Sequence, residues 1–379
     1  MAFAPAVWLA AQAEICEDDD EVEADTCTEP QRKFLNHYDD DALFERFHLT
    51  RPCIAFITDC VRHRLKDTRD QVNGPSVDEM VITALDFYAN GILSSELVHL
   101  VQIDQMEIHE VINKVSKVLS GMVKEFITFP ANGEERANVA HEIKKICGIP
   151  TAVGLVGCMH LKVKPPQHDK EAFRNTMDNH TVMTQVISDC EGNFMSVENC
   201  CVGSTPEQTI WDSSEIAQQL KRGVHGTNWI IAGKGYTLSR HLLTAILPVK
   251  DKADQRFNAA HNMIYTVLQK TIFSVKTRFK CLANLGHVQQ NSLDKKAEVI
   301  KACCVLHNIA KKFSVPALND TMVEPMHPAS NYQLPVVEWS LSKVHLVQSD
   351  QDSSGRLKLL PSLATAHLFP PVYSHPLVI

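Results

Sequence analysis

Carboxylates are the residues of this 379-residue chain with the most chemistry to offer. Asp189, Glu191, Glu198 and Glu207 fall within one short stretch, and oxygen ligands of this kind are what magnesium or manganese takes. Two such ions about 4 Å apart activate water and stabilise the leaving oxygen in phosphodiester cleavage. The local pattern speaks against a shared site, however. Asp189 and Glu191 belong to a Gly192-containing hairpin loop, where Asp favours turns. Glu198 alternates with apolar neighbours, which puts it on the solvent face of a strand. Other chemistries find less support. The chain has no Gly-x-Ser-x-Gly and no Walker-type phosphate loop, and Gly233-Lys-Gly235 is too short for one and reads as a strand end with a turn. Its twelve cysteines include no Cys-x-x-Cys. The adjacent pairs Cys200-Cys201 and Cys303-Cys304 suit neither a zinc knuckle nor an easy disulfide. Reduced core thiols of a cytosolic or nuclear protein are expected.

The elements that must position these groups are legible from periodicity. Leu43, Phe44 and Phe47, then Ile54, Phe56, Ile57 and Val61, recur at helical spacing, with Pro52 opening the second helix. Val77 to Tyr88 predicts a helix ended by Asn90-Gly91, Ser94 or Ser95 caps a short second one, and Glu107 to Ile127 forms a long third. A short helix, a tight turn and a longer helix are the ingredients of a helix-turn-helix. After Thr151 the period shortens: a strand from Val153, a hairpin of 182–188 and 194–198, a helix over 206–221 and the strand Trp229-Ile-Ile-Ala. Helices then follow over 257–279 and 293–313. That order fits an RNase H-like α/β core, among other α/β folds.

The chain carries Phe87-Tyr88-Ala-Asn-Gly91, Cys147-Gly-Ile-Pro150, Gly203-Ser204, Phe257-Asn-Ala-Ala-His261, Arg278-Phe-Lys-Cys-Leu282 and Cys304-Val-Leu-His-Asn-Ile309. Together these segments resemble the PIF/Harbinger superfamily of DDE transposases and the nucleases derived from them. None is specific alone; their number and order over residues 42–313 carry the resemblance. It implies an α/β, RNase H-like DDE nuclease core behind an all-α, helix-turn-helix-like region. It also implies three carboxylates holding two divalent metals, and here the matching positions are Gly157, Gly233 and Gln269. No catalytic residue, bound metal or other cofactor is therefore expected. Asp189 and Glu207 are the fallback metal ligands of an alternative reading, a magnesium- or manganese-dependent endonuclease with displaced carboxylates.

Charge and composition set the remaining expectations. The net charge is −8, and residues 1–45 hold thirteen acids against Arg32 and Lys33. Residues 1–38 read as an acidic disordered tail, 39–150 as the helical region, 151–313 as the nuclease-like domain and 314–379 as an irregular or disordered tail. Met1 to Ala13 lacks a basic n-region and no apolar run reaches about 18 residues, so neither a signal peptide nor a membrane span is expected. The stretch Asp104 to Val118, where the second helix of the unit would read bases, holds Asp104, Glu107 and Glu110 against Lys114 and Lys117, a poor match to phosphates. Lys276, Arg278 and Lys280 are the better nucleic-acid-binding candidates. The resemblance implies a Myb/SANT-like DNA-binding partner protein, some DNA contact and a place in nucleus and cytoplasm.

Overall fold

A computed structural model describes residues 38–65, 75–93, 105–283, 285–287 and 292–318. Helices α1 (Asp40–Phe47), α2 (Arg51–Leu65), α3 (Val77–Asn90), α4 (Gln105–Gly121), α5 (Val123–Phe126) and α6 (Gly133–Cys147) come first. Strand β1 (Ala152–Lys162), helix α7 (Lys170–Phe173), the hairpin β2 (Thr181–Ser188) and β3 (Phe194–Val202), and helices α8 (Glu207–Ser213) and α9 (Glu215–Lys221) follow. Strands β4 (Trp229–Ala232) and β5 (Leu242–Leu243), then helices α10 (Lys252–Arg278) and α11 (Leu293–Lys312), complete the described order.

The strands form one mixed sheet in the order β3-β2-β1-β4-β5. The first three strands pair antiparallel, while β4 joins β1, and β5 joins β4, in parallel. This is an α/β, RNase H-like arrangement with a helical region ahead of it. One face of the sheet shares its core with the N-terminal helices, from Leu43 through Val315. A smaller cluster that includes Val153, Val156, Trp211, Leu220 and Ile230 lies on the other face beneath α8 and α9. The boundary expected at residue 150 thus divides helices from sheet without dividing the core.

Local chemistry explains the element ends. Ser76 and Glu79 form a capping box at the start of α3, and Gly91 ends it at φ +78°. Residues Met80 to Ala89 of α3 are all buried, so Asp86 inside it needs a partner, and Arg46 supplies one at 3.3 Å. The helix expected over 107–127 instead stops at Gly121, and α5 restarts after a buried Met122 at ψ 3°. The face of α4 carrying Ile108, Val111, Val115 and Leu119 is buried. Residues 94–104, where the short helix capped by Ser94 or Ser95 was expected ahead of the longer one, lie outside the described residues, as do 319–379. Just past residue 314, Val315 is buried and the Pro316 carbonyl accepts from Arg278 at 2.8 Å. Tyr38 is likewise packed, edge-on to Phe47. Among the described residues no helix is long and apolar enough to cross a membrane.

Helix α11 is apolar on nearly every side from Val299 to Ala310, as a buried helix must be, and two of its polar residues fasten the hairpin. Asn308 accepts from the Phe194 amide at 2.9 Å and donates to the carbonyls of Phe194 and Phe126. His307 Nε2 donates to the Gly192 carbonyl at 2.9 Å. Burial pushes the His307 imidazole down to about 4, below its ordinary 6.5, so the folded chain keeps it neutral. The unfolded chain binds the proton first, and stability is therefore lost as pH falls from about 6.5 toward 4, by about 3 kcal/mol for this one group. Urea unfolding at pH 7 and pH 4.5 should show that loss, and His307→Gln should make the pH dependence shallower while lowering stability at pH 7. An unchanged slope in the variant would refute the assignment.

Candidate functional site

Gly157 and Gly233 stand side by side. Val156 pairs with Ala232 in the parallel β1–β4 ladder, and each glycine is the next residue along its chain, both of them buried. Helix α10 crosses them. Its start is capped by Asp251, whose carboxylate accepts from the Ala253 and Asp254 amides. Asn258 bonds both the amide and the carbonyl of Ile246, and His261 Nε2 donates to the Ala232 carbonyl at 3.1 Å. The Phe257-Asn-Ala-Ala-His261 segment is therefore a clamp that seats α10 on β4.

One turn beyond His261, Tyr265 stacks on its ring at 5.7 Å between centroids and reaches the two glycines. A Cβ on Gly157 would lie 2.7 Å from the Tyr265 hydroxyl oxygen and 3.0 Å from a Leu268 methyl. A Cβ on Gly233 would collide with the same hydroxyl and come within 2.9 Å of Cζ. One phenol thus fills the space into which side chains from both positions would project. Gln269, one further turn along α10, is exposed. A pair of divalent metals needs several convergent anionic oxygens. Here two of the three positions offer no side chain and a phenol stands over them, so the residues do not fit such a pair.

Beside the phenol, a thiol, a second phenol and an amide form a short chain of contacts, while the Gln185 Nε2 is buried without a partner. The Cys158 thiol lies 3.5 Å from the Tyr236 hydroxyl, which donates to Gln185 Oε1 at 3.4 Å. Burial raises the Cys158 thiol to about 12 and holds both tyrosine hydroxyls well above their ordinary value, with the Glu207 charge acting in the same direction. A thiol held protonated is a poor nucleophile. Glu207, at the start of α8, lies 3.6 Å from His160 Nε2, and Lys276 Nζ donates to the His160 carbonyl at 2.6 Å. Among the described residues no three His, Cys, Asp or Glu side chains are grouped to hold a metal ion.

The fallback pair does not converge. Asp189 follows Ser188, which pairs with Leu155, whereas Glu207 sits at His160, which pairs with Met183. Five strand residues separate the two places, about 17 Å at the usual rise. Asp189 is also occupied, accepting from the Glu191 and Asn193 amides and from the Asn193 side chain. The three basic candidates divide as well. Arg278 is buried, donates to the carbonyls of His48 and Pro316, and its own carbonyl accepts from His48 Nδ1 at 2.7 Å. It joins three segments and offers nothing to a phosphate. Lys276 is tied to His160 and its charge is disfavoured by burial. Of the three, Lys280 alone is exposed. Tyr265 was not anticipated. The available signal was its position, four residues before Gln269 and so on the same helix face.

Residues 156–308 match the family described as DDE superfamily endonuclease, with which the mixed sheet and its helices are consistent. The chain is 26% identical over 301 residues to the human protein named putative nuclease HARBI1, covering 79% of this chain and 86% of that protein. Its frog counterpart from Xenopus laevis is 24% identical over 294 residues, 78% of this chain and 85% of its own length. An Arabidopsis thaliana protein named ALP1-like is 19% identical over 271 residues, 67% of this chain and 66% of that protein. No solved structure matches. The endonuclease match and relatives about 25% identical over most of the chain support a place near the Harbinger-derived nucleases.

The packing of Tyr265 against two glycines is testable as a coupling. Gly233→Ala should destabilise the fold by about 1–3 kcal/mol, the usual cost of overpacking. In a Tyr265→Ala background the same substitution should cost nothing, giving a coupling of similar size in a double-mutant cycle. Additive effects in urea unfolding would show that the phenol does not occupy this space.

Proposed function

We propose that the chain is a nuclease fold that does not cut phosphodiester bonds and that it acts in the nucleus and cytoplasm through a protein partner, with weak nucleic-acid contact. Gly157, Gly233 and Gln269 are taken as the positions at which the family's metal-holding carboxylates are lacking. The observation that carries this reading is the Tyr265 phenol over both glycines: the place for metals is filled as well as uncharged. The partner is of the Myb/SANT-like DNA-binding type, which would supply the sequence recognition that α4 is poorly equipped for. The exposed side chains along α4 include Glu107 and Glu110 as well as Lys114 and Lys117, and acids there repel phosphates.

Plasmid nicking by purified protein in manganese, with a chelator control, is the direct test, and no cleavage above control is expected. Restoring ligands by Gly157→Asp, Gly233→Asp and Gln269→Glu should create manganese affinity only when Tyr265→Ala is added, measured by calorimetry. Glu207 beside His160 is the one residual carboxylate that favours the second reading, a displaced nuclease site. Chelator-sensitive nicking abolished by Glu207→Gln would establish that reading in place of the first.

Weak DNA contact is assigned to the exposed Lys280, with Lys234 and Lys270, which are also exposed. Lys280→Gln should leave stability within about 0.5 kcal/mol and lower the salt slope of binding to mixed-sequence duplex by about one. Arg278→Ala should instead destabilise the fold by about 2–4 kcal/mol, since it strands buried carbonyls. Salt-independent binding, or none at low salt, would refute the DNA contact.

A further inference from the structure

At the opposite end of the parallel strands from Tyr265, a concave site of about 580 Å³ opens between α6 and the segment 225–228 that leads into β4. Its hollow exists because Ala137 and Ala140 on α6 are short, while Arg136, His141 and Lys144 on the same helix stand around them. Across the hollow lie His225, Thr227 and Asn228, and no carboxylate is among the lining residues.

The charge there is uncompensated. Glu142 on the same helix is committed to Lys145 at 2.6 Å, and Glu135 to Asn132 and the Ala131 amide at the helix start. Neither lines the hollow. Arg136 is held in place by the carbonyls of Ala131 and Pro130, at 2.9 and 3.3 Å, and by His225. Since Gln219 Oε1 can only accept, the 2.7 Å contact puts the proton on His225 Nε2. Nδ1 is left to accept from Arg136 Nη1 at 3.5 Å. Burial, with the Arg136 charge, holds the His225 imidazole below its ordinary value, so it steadies the guanidinium without adding repulsion. Lys144 lies in the last turn of α6, where the helix dipole favours a cation. That accounts for Lys144 but not for Arg136 near the start of α6, nor for the hollow between them. Two cations facing one concavity raise the local potential and favour an anion.

We propose that this cavity binds a phosphate-bearing small molecule of mononucleotide size. A dianionic phosphate balances the two fixed cations, and a guanidinium edge matches phosphate oxygens in geometry. The volume is within the usual range for small-molecule sites and leaves room for a sugar and base beyond the phosphate. The site is separate from Gly157 and Gly233 and does not depend on the function proposed above.

The test is calorimetric titration of the full chain at low salt with inorganic phosphate, adenosine monophosphate and adenosine. Saturable one-site binding is expected for the two phosphates, tighter for the nucleotide, with none for adenosine. Lys144→Gln with His141→Asn should weaken it about tenfold, and the melting temperature should not move because neither side chain holds the fold. Arg136→Lys, which keeps the charge and loses the fork, should weaken it too. Absence of saturation up to about 10 mM, equal binding of adenosine, or undiminished binding by the Lys144/His141 variant would overturn the proposal. Displacement of the nucleotide by short duplex DNA would also overturn it, assigning the phosphate to a nucleic-acid chain.

Discussion

The contact on which this arrangement turns is one phenol laid against the backbone of two neighbouring strands. Tyr265 reaches Gly157 and Gly233 only because neither carries a Cβ, and it is aimed there only because α10 is clamped one turn earlier by His261 on the Ala232 carbonyl. The helix, the parallel pair β1–β4 and the two glycines therefore form a single constraint. Altering any one of them leaves either a clash or an unfilled space, and both are costly in a close-packed interior.

The same economy governs the segments that mark the family. The His307-Asn308 pair fixes the hairpin turn and the end of α5 to α11, and Arg278 ties the end of α10 to α1 and to the chain after α11. These residues satisfy buried backbone groups that have no partner in sheet or helix. The N-terminal helices and the sheet consequently share one core, and each depends on the other for its buried face. Polar residues in a motif can thus carry the architecture while doing no chemistry, and a basic motif residue such as Arg278 cannot be assumed to face a ligand.

What the sequence disclosed follows from which forces are local. Helix starts and ends were readable because caps and left-handed glycines act within a few residues, as at Ser76 and Gly91. Strands β1 to β4 were readable from short apolar runs between turn residues, whereas the two-residue β5 was too short to read. The break at Met122 was not, since it depends on a side chain buried by distant helices. At the candidate site Gly157, Gly233 and Gln269 were singled out by the resemblance, but Tyr265 was not. An aromatic at helical spacing reads as ordinary core until the strand opposite is known. The burial of Arg278 and Lys276 was hidden for the same reason: a run of alternating cations looks solvated until tertiary partners at His48 and His160 are placed.

Neutralising a metal site and filling it are different physical events. Replacing Asp by Gly alone would leave a hydrated cleft beside the strands, still open to cations or water through the exposed Glu-like position at Gln269. With the Tyr265 ring in that cleft, the fold gains buried aromatic area and is spared the mutual repulsion that clustered carboxylates impose when no metal is bound.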